Sequence, residues 1–83
     1  MTVRYWAAAR AAAGVSHESV QAATLAEALA AVRAARPGDR RFSDVVSICS
    51  VLVGEVPVAS AAPEDVTLTD GDTVELLPPF AGG

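Results

Sequence analysis

Residues 24–38 read TLAEALAAVRAARPG, and this stretch decides the fold. Thr24 with Glu27 three places on forms a capping box. The hydroxyl accepts from the amide three residues ahead, and the carboxylate reaches back toward the start. Such a cap stabilises a helix by about 1 kcal/mol. Leu25, Ala28, Leu29 and Val32 then recur at helical spacing and make one apolar stripe. Arg33 and Arg36 suit the last turn, where cations favour the helix dipole. Pro37-Gly38 stops the run.

Outward from this helix the pattern changes to strands. Toward the N-terminus, Thr2 to Ala7 alternates and carries β-formers, with Val3, Tyr5 and Ala7 on one face and Arg4 and Trp6 on the other. Ala8 to Ala13 favours a helical turn that Gly14 ends. Ser16 to Ala22 fits an exposed second strand, returning along the first. Toward the C-terminus, Asp39 to Val46 is polar and then apolar, a short helical turn. Ile48 to Val53 reads as a largely buried strand. Gly54-Glu55 suits a two-residue turn with glycine first, the II′ pattern. Val56-Pro57-Val58 returns at an edge, because Pro57 cannot donate to a ladder. Asp70-Gly71-Asp72 is a turn, and Thr73 to Leu77 is the last strand, ended by Pro78-Pro79.

One main helix cannot cover both faces of a sheet, so one face meets the helix and the other meets solvent. The expected architecture is α+β: a mixed sheet of four to five strands packed on one main helix, in the β-grasp order of ubiquitin-like proteins. Residues 1–80 form the domain, and 81–83 a slender Gly-Gly tail.

Eighty-three residues give a thin core. Alanine supplies much of the 52% apolar content and adds little area per residue. One cysteine, Cys49, and one histidine, His17, make neither a disulfide nor a zinc set. The formal net charge of −4 argues against nucleic acid. All six fixed side-chain cations are arginines, with no lysine; Arg33, Arg36, Arg40 and Arg41 read as a solvated helix end. No apolar run approaches a membrane span. The A-x-A spacings in Ala7 to Ala13 lack the apolar segment of a signal peptide before them. The chain is expected in the cytoplasm.

Catalytic patterns are absent. No nucleotide-binding glycine motif occurs. Cys49 lies in an apolar strand and reads as an inert thiol. His17 reads as a surface residue, and Glu64-Asp65 and Asp70/Asp72 as turn chemistry. What remains is the end of the chain. Gly82-Gly83 has no side chain to obstruct a narrow channel. Pro78-Pro79 stiffens the backbone before it, and Phe80 to Gly83 spans about 13 Å when extended. A terminal carboxyl has a pKa of about 3.5, so at neutral pH it is ionised and needs activation by another protein before acyl chemistry.

Alternation also predicts a docking surface. Glu75 and Thr73 mark the open face of the last strand, which then carries Leu77; Arg4 does the same for Trp6. Trp6 and Leu77, joined by Phe80, form an exposed apolar cluster beside the tail.

The ending Leu68 to Gly83, with its Asp-Gly-Asp turn and Pro-Pro-x-Ala-Gly-Gly terminus, resembles the MoaD/ThiS sulfur-carrier family, most of all the small subunits of molybdopterin synthase. Val3-Arg4-Tyr5-Trp6-Ala7, the turn to Gly14, the Thr24 helix and the Val51 to Glu55 turn extend the resemblance over nearly the whole chain. The Gly54-Glu55 turn lacks the asparagine often found before this glycine. The resemblance implies a chain that is not an enzyme by itself and binds no cofactor. A MoeB-like adenylating partner uses ATP and magnesium to activate the Gly83 carboxylate. Sulfur then makes a thiocarboxylate there, and a MoaE-like large subunit of molybdopterin synthase takes the tail and passes sulfur to precursor Z. Gly83 carries the reacting group and Gly82 keeps the path narrow, while Trp6, Val56, Leu77, Phe80 and Ala81 meet the partner. Alternatives are a sulfur carrier for thiazole or cysteine synthesis, a ubiquitin-like modifier joined through Gly83, and a plain interaction module.

Overall fold

The computed structural model describes residues 1–79. Five strands and three helices follow in the order β1 (Thr2–Tyr5), α1 (Ala7–Ala13), β2 (His17–Ser19), α2 (Leu25–Ala34), α3 (Arg40–Ile48), β3 (Ser50–Val53), β4 (Val56–Pro57) and β5 (Thr73–Leu77). A 3-10 turn at Pro63–Asp65 lies between β4 and β5. The sheet order is β2-β1-β5-β3-β4. β1 and β5 pair in parallel at the centre, and the other neighbours are antiparallel. This is the mixed α+β, β-grasp arrangement of ubiquitin-like proteins.

The helix of residues 24–38 forms as its sequence requires. Thr24 Oγ1 accepts from the Glu27 amide at 3.2 Å. Glu27 Oε1 reaches back to the Ala23 amide at 2.9 Å, one residue before the cap. Leu25, Ala28 and Val32 are buried against the sheet, joined by Val3, Tyr5, Val74 and Leu76. Burying side chains of the Val, Leu and aromatic class contributes about 1.5–3 kcal/mol each, so this thin core rests on few residues.

Four expectations require correction. First, the stretch after Pro37-Gly38 is a full helix, Arg40–Ile48, where a short helical turn was expected. Asp39 caps it, accepting from the Phe42 amide at 3.0 Å. Phe42 and Val46 are buried, with Val45 and Cys49 packed against the core. Their spacing of 42, 45, 46 and 49 is helical, but Arg40, Arg41, Ser43 and Asp44 obscure it. Second, Ile48 ends α3 and is 61% exposed; it does not open the strand. Third, β3 is only half-buried, because β4 beside it is two residues long. Fourth, Gly54 and Glu55 both have positive φ, 56° and 69°. That is type I′, whose twist matches the strands and which needs the left-handed region at both positions.

The arginine group also differs from a solvated helix end. Arg36 lies partly buried over the sheet edge. Its Nη2 pairs with Glu18 Oε2 at 2.7 Å, and its guanidinium donates to the carbonyls of Ala13 and Val32. The guanidinium also stacks on Phe42 at 4.4 Å and on Tyr5 at 5.5 Å. Tyr5 and Phe42 meet edge to face at 5.7 Å, and the Tyr5 hydroxyl donates to Glu18. One clasp therefore ties β1, β2, α1, α2 and α3.

Burial pushes the Tyr5 phenol well above its ordinary value, and the Glu18 hydrogen bond and charge act in the same direction. An unfolded chain releases this proton near pH 10, while the folded chain keeps it. Stability is complete below that pH and falls as pH rises beyond it. Urea-unfolding midpoints at pH 8 and about pH 11 should show a larger loss in wild type than in Tyr5→Phe. Equal losses would remove Tyr5 as the cause.

Candidate docking face and acyl terminus

Period two along each strand divides the sheet. Val3, Tyr5, Val74 and Leu76 point into the core and are buried. Thr2 and Arg4, Thr73, Glu75 and Leu77, and Ser50 and Leu52 therefore share the other face. The helices lie on the core side, so this second face is open.

Trp6 stands just past the end of β1 and prolongs it. Its backbone remains extended, at φ −121° and ψ 149°. Its N–H donates to the Leu76 carbonyl at 3.2 Å, which continues the parallel ladder. Ala7, expected on the core face of the strand, is exposed and takes φ 48°, a left-handed bend that turns the chain into α1. The Trp6 carbonyl accepts from Ala9 and Arg10, fixing the residue from both sides. The indole is 42% exposed. Its Nε1 donates to Glu75 Oε1 at 3.1 Å, and the Arg4 guanidinium lies 5.9 Å from the ring centroid. A large apolar ring is thus held on the surface by a neighbour on each side, with little rotamer freedom left to lose on binding.

The ladder places Leu77 beside Trp6 and opposite Ser50. Pro78 is half-buried and Pro79 exposed at the same end of β5. The expected pair of Trp6 and Leu77 is therefore brought together where the strand leads out. Val56 is not brought to them. It is 66% exposed, but it pairs with Val53, whose partner across β5 is the buried Val74. By register Val56 belongs to the other side of the sheet, at its far edge. Pro57, paired with Leu52, is the β4 residue that shares the open face. Sequence reasoning missed Leu52 and Pro57, because their side was set by the hairpin register. Phe80, Ala81, Gly82 and Gly83 lie outside the described residues.

A cleft of about 490 Å³ lies between α2, β3 and the segment 57–63. Its lining is mostly apolar, and among the described residues Cys49 is the one titratable group in it. Among the described residues no helix is long and apolar enough to cross a membrane.

The sequence profile described as the ThiS family matches residues 3–83. No curated protein matches the sequence. Among solved structures, SAMP1 from Haloferax volcanii is 26% identical with a TM-score of 0.81, over 100% of this chain and 98% of that one. CysO in the BexX/CysO complex of Amycolatopsis orientalis is 25% identical with a TM-score of 0.78, over 99% and 98%. The complex of subunits 1 and 2 of molybdopterin-converting factor from Helicobacter pylori 26695 matches at 22% identity with a TM-score of 0.68, over 99% and 96%.

Proposed function

This chain belongs to the ThiS family of ubiquitin-like sulfur carriers, and from that premise we propose that it is the small, sulfur-donating subunit of a molybdopterin synthase. The observation that carries this reading is the Trp6–Leu77 surface at the end of the strand that leads into Pro78-Pro79-Phe80-Ala81-Gly82-Gly83. The body supplies grip, and the terminus supplies chemistry.

An adenylating partner of the MoeB kind uses ATP and magnesium to join the Gly83 carboxylate to AMP. A carboxylate is a poor electrophile; the mixed anhydride gives it a good leaving group. A sulfur donor displaces AMP and leaves a thiocarboxylate at Gly83. Gly82 and Gly83 then pass into a MoaE-like large subunit, where the thiocarboxylate sulfur attacks precursor Z. Trp6, Leu77, Phe80 and Ala81 hold the body against the partner, with Val56 as a separate contact at the sheet edge. The cytoplasm, where ATP and reduced thiols are present, is the fitting compartment.

Two measurements test this. Intact mass of the chain from its own cells should include a species with one oxygen replaced by sulfur. That species, mixed with a molybdopterin synthase large subunit, should convert precursor Z. A thiocarboxylated chain that the large subunit cannot use would leave the carrier but remove the pathway.

A second reading has its own support. The fit to CysO and SAMP1 is closer than the fit to the molybdopterin-converting factor complex, in TM-score and in identity. It makes the chain a carrier for another sulfur pathway, or a modifier joined through Gly83. Covalent adducts on cellular proteins would select the modifier.

The docking face gives a direct prediction. Trp6→Asp should weaken large-subunit binding about thirtyfold, the effect of losing a 2 kcal/mol hot spot. Its urea midpoint should barely move, since the ring is exposed. Calorimetric titration beside a melt checks both, and global unfolding of the variant would place Trp6 in the core.

A further inference from the structure

We propose that the body of this protein is built to be inert toward its own activated terminus: it offers no competent amine or thiol to an acyl group on Gly83. This rests on Gly83 as the reacting residue.

The hazard is simple acyl chemistry. An amine lone pair attacks the activated Gly83 carbonyl carbon and a C–N bond forms. The bond to the leaving group breaks, AMP or a thiolate departs, and the ammonium proton goes to solvent. The result is a chain joined to itself or to a copy, and the carrier is consumed. From Leu77 to Gly83 the chain spans about 20 Å when extended, which sets the radius within which a nucleophile matters.

Each nucleophile class is dealt with differently. Lysine is missing altogether: the six fixed side-chain cations at 4, 10, 33, 36, 40 and 41 are all arginine. Arginine keeps the charge, yet its guanidinium stays protonated at any physiological pH and is not a nucleophile. This includes Arg4, on the open face one ladder step from Trp6 and within that radius of Leu77.

The Met1 α-amine lies about 17 Å from Leu77 at ~3.3 Å per strand residue, so an extended terminus reaches it only by doubling straight back along the sheet. β1 and β5 are parallel, so Thr2 lies beside Thr73, at the opposite end of β5 from Leu77. Met1 is also fixed as an extension of the β1–β2 ladder. Its ammonium donates to the Val20 carbonyl at 3.3 Å, and its carbonyl accepts from the Val20 amide at 3.0 Å.

Cys49 is the exception in position. It precedes Ser50, which pairs with Leu77, so the thiol stands at the end where the terminus leaves. It is half-buried and donates to the Val45 carbonyl at 3.2 Å. Burial pushes the thiol up, so the nucleophilic thiolate is suppressed.

The test uses the chain ending at Gly83 as a small alkyl thioester, held in mildly alkaline buffer and followed by intact mass and denaturing gel. Wild type should only hydrolyse. Arg4→Lys and Ser50→Lys place an amine on the open face, and both should form self-acylated product at least about tenfold faster, given intramolecular proximity. Wild type in strong urea, with Met1 and Cys49 released, should also self-acylate. Native wild type that self-acylates as fast as the lysine variants would overturn the proposal, as would lysine variants that stay as inert as wild type. Neither result depends on sulfur loading, so failure of the proposed function is read separately from the mass of the cellular protein.

Discussion

A chain lacking only Gly83 should lose sulfur transfer completely while unfolding at the same urea concentration as wild type. The proposed reaction takes place at one carbonyl carbon. A chain ended at Gly82 places its carboxylate about 3.5 Å short of that position. Misplacing a reacting atom by even 1 Å can cost a hundredfold, so neither adenylation nor donation to the substrate should survive. The described core runs from Val3 to Leu76, so stability should shift by no more than about 0.5 kcal/mol, the range for changes away from a core. Binding to the large subunit should also persist, because Trp6 and Leu77 are untouched. The experiment combines a reconstituted synthase assay, a binding titration and a melt. Full turnover by the truncated chain would end the proposal. Loss of folding would show that the terminus serves the body.

The largest effect on stability should come from Arg36→Ala. Removing this guanidinium breaks the 2.7 Å ion pair with Glu18 and the bonds to the Ala13 and Val32 carbonyls. It also uncovers the faces of Phe42 and Tyr5. The side chains of Arg36 and Glu18 are 14% and 26% exposed, so the pair is partly screened. The loss should therefore fall below the 3–5 kcal/mol of a fully buried pair, at about 2–3 kcal/mol. Domains of this kind have about 5 kcal/mol or a little more in total, so about half of the stability depends on this residue. Arg36→Lys should recover part of the charge but not the fork or the stacking. Glu18→Gln should cost less than Arg36→Ala, because an amide oxygen still accepts from Tyr5 and Arg36. Equilibrium urea unfolding ranks the three variants. Arg36→Ala within 0.5 kcal/mol of wild type, the ordinary surface range, would show the clasp to be incidental.

Trp6 and Arg36 mark what is and is not legible in a sequence. Gly83 was singled out because a side-chain-free end after a proline pair suits the delivery of a carboxylate; it lies outside the described residues, and its chemistry is the proposal the truncation tests. Trp6 was legible because Arg4 and Glu75 label the wet face of their strands, and period two carries that label to neighbouring positions. Arg36 was read as a solvated helix end because nothing local says otherwise. Its partners, Glu18 and Tyr5, lie 18 and 31 positions earlier in the chain. α3 was reduced to a turn for a related reason: its apolar side is four residues among charges, and only packing shows that Phe42 and Val46 are one face.

By itself, then, the sequence determined the capped helix from Thr24, the strands at either end, and the side on which Val3 to Trp6 and Thr73 to Leu77 fall. Those are properties of a few successive residues, governed by backbone sterics and side-chain alternation. The tertiary structure decided that β1 and β5 lie side by side, that Trp6 meets Leu77 from 71 positions away, that Val56 falls on the opposite side, and that Arg36 is a clasp. Each of these depends on which surfaces meet when the whole chain closes on its core, and that choice minimises exposed apolar area and unpaired polar groups over the entire molecule. No short window of sequence holds that sum.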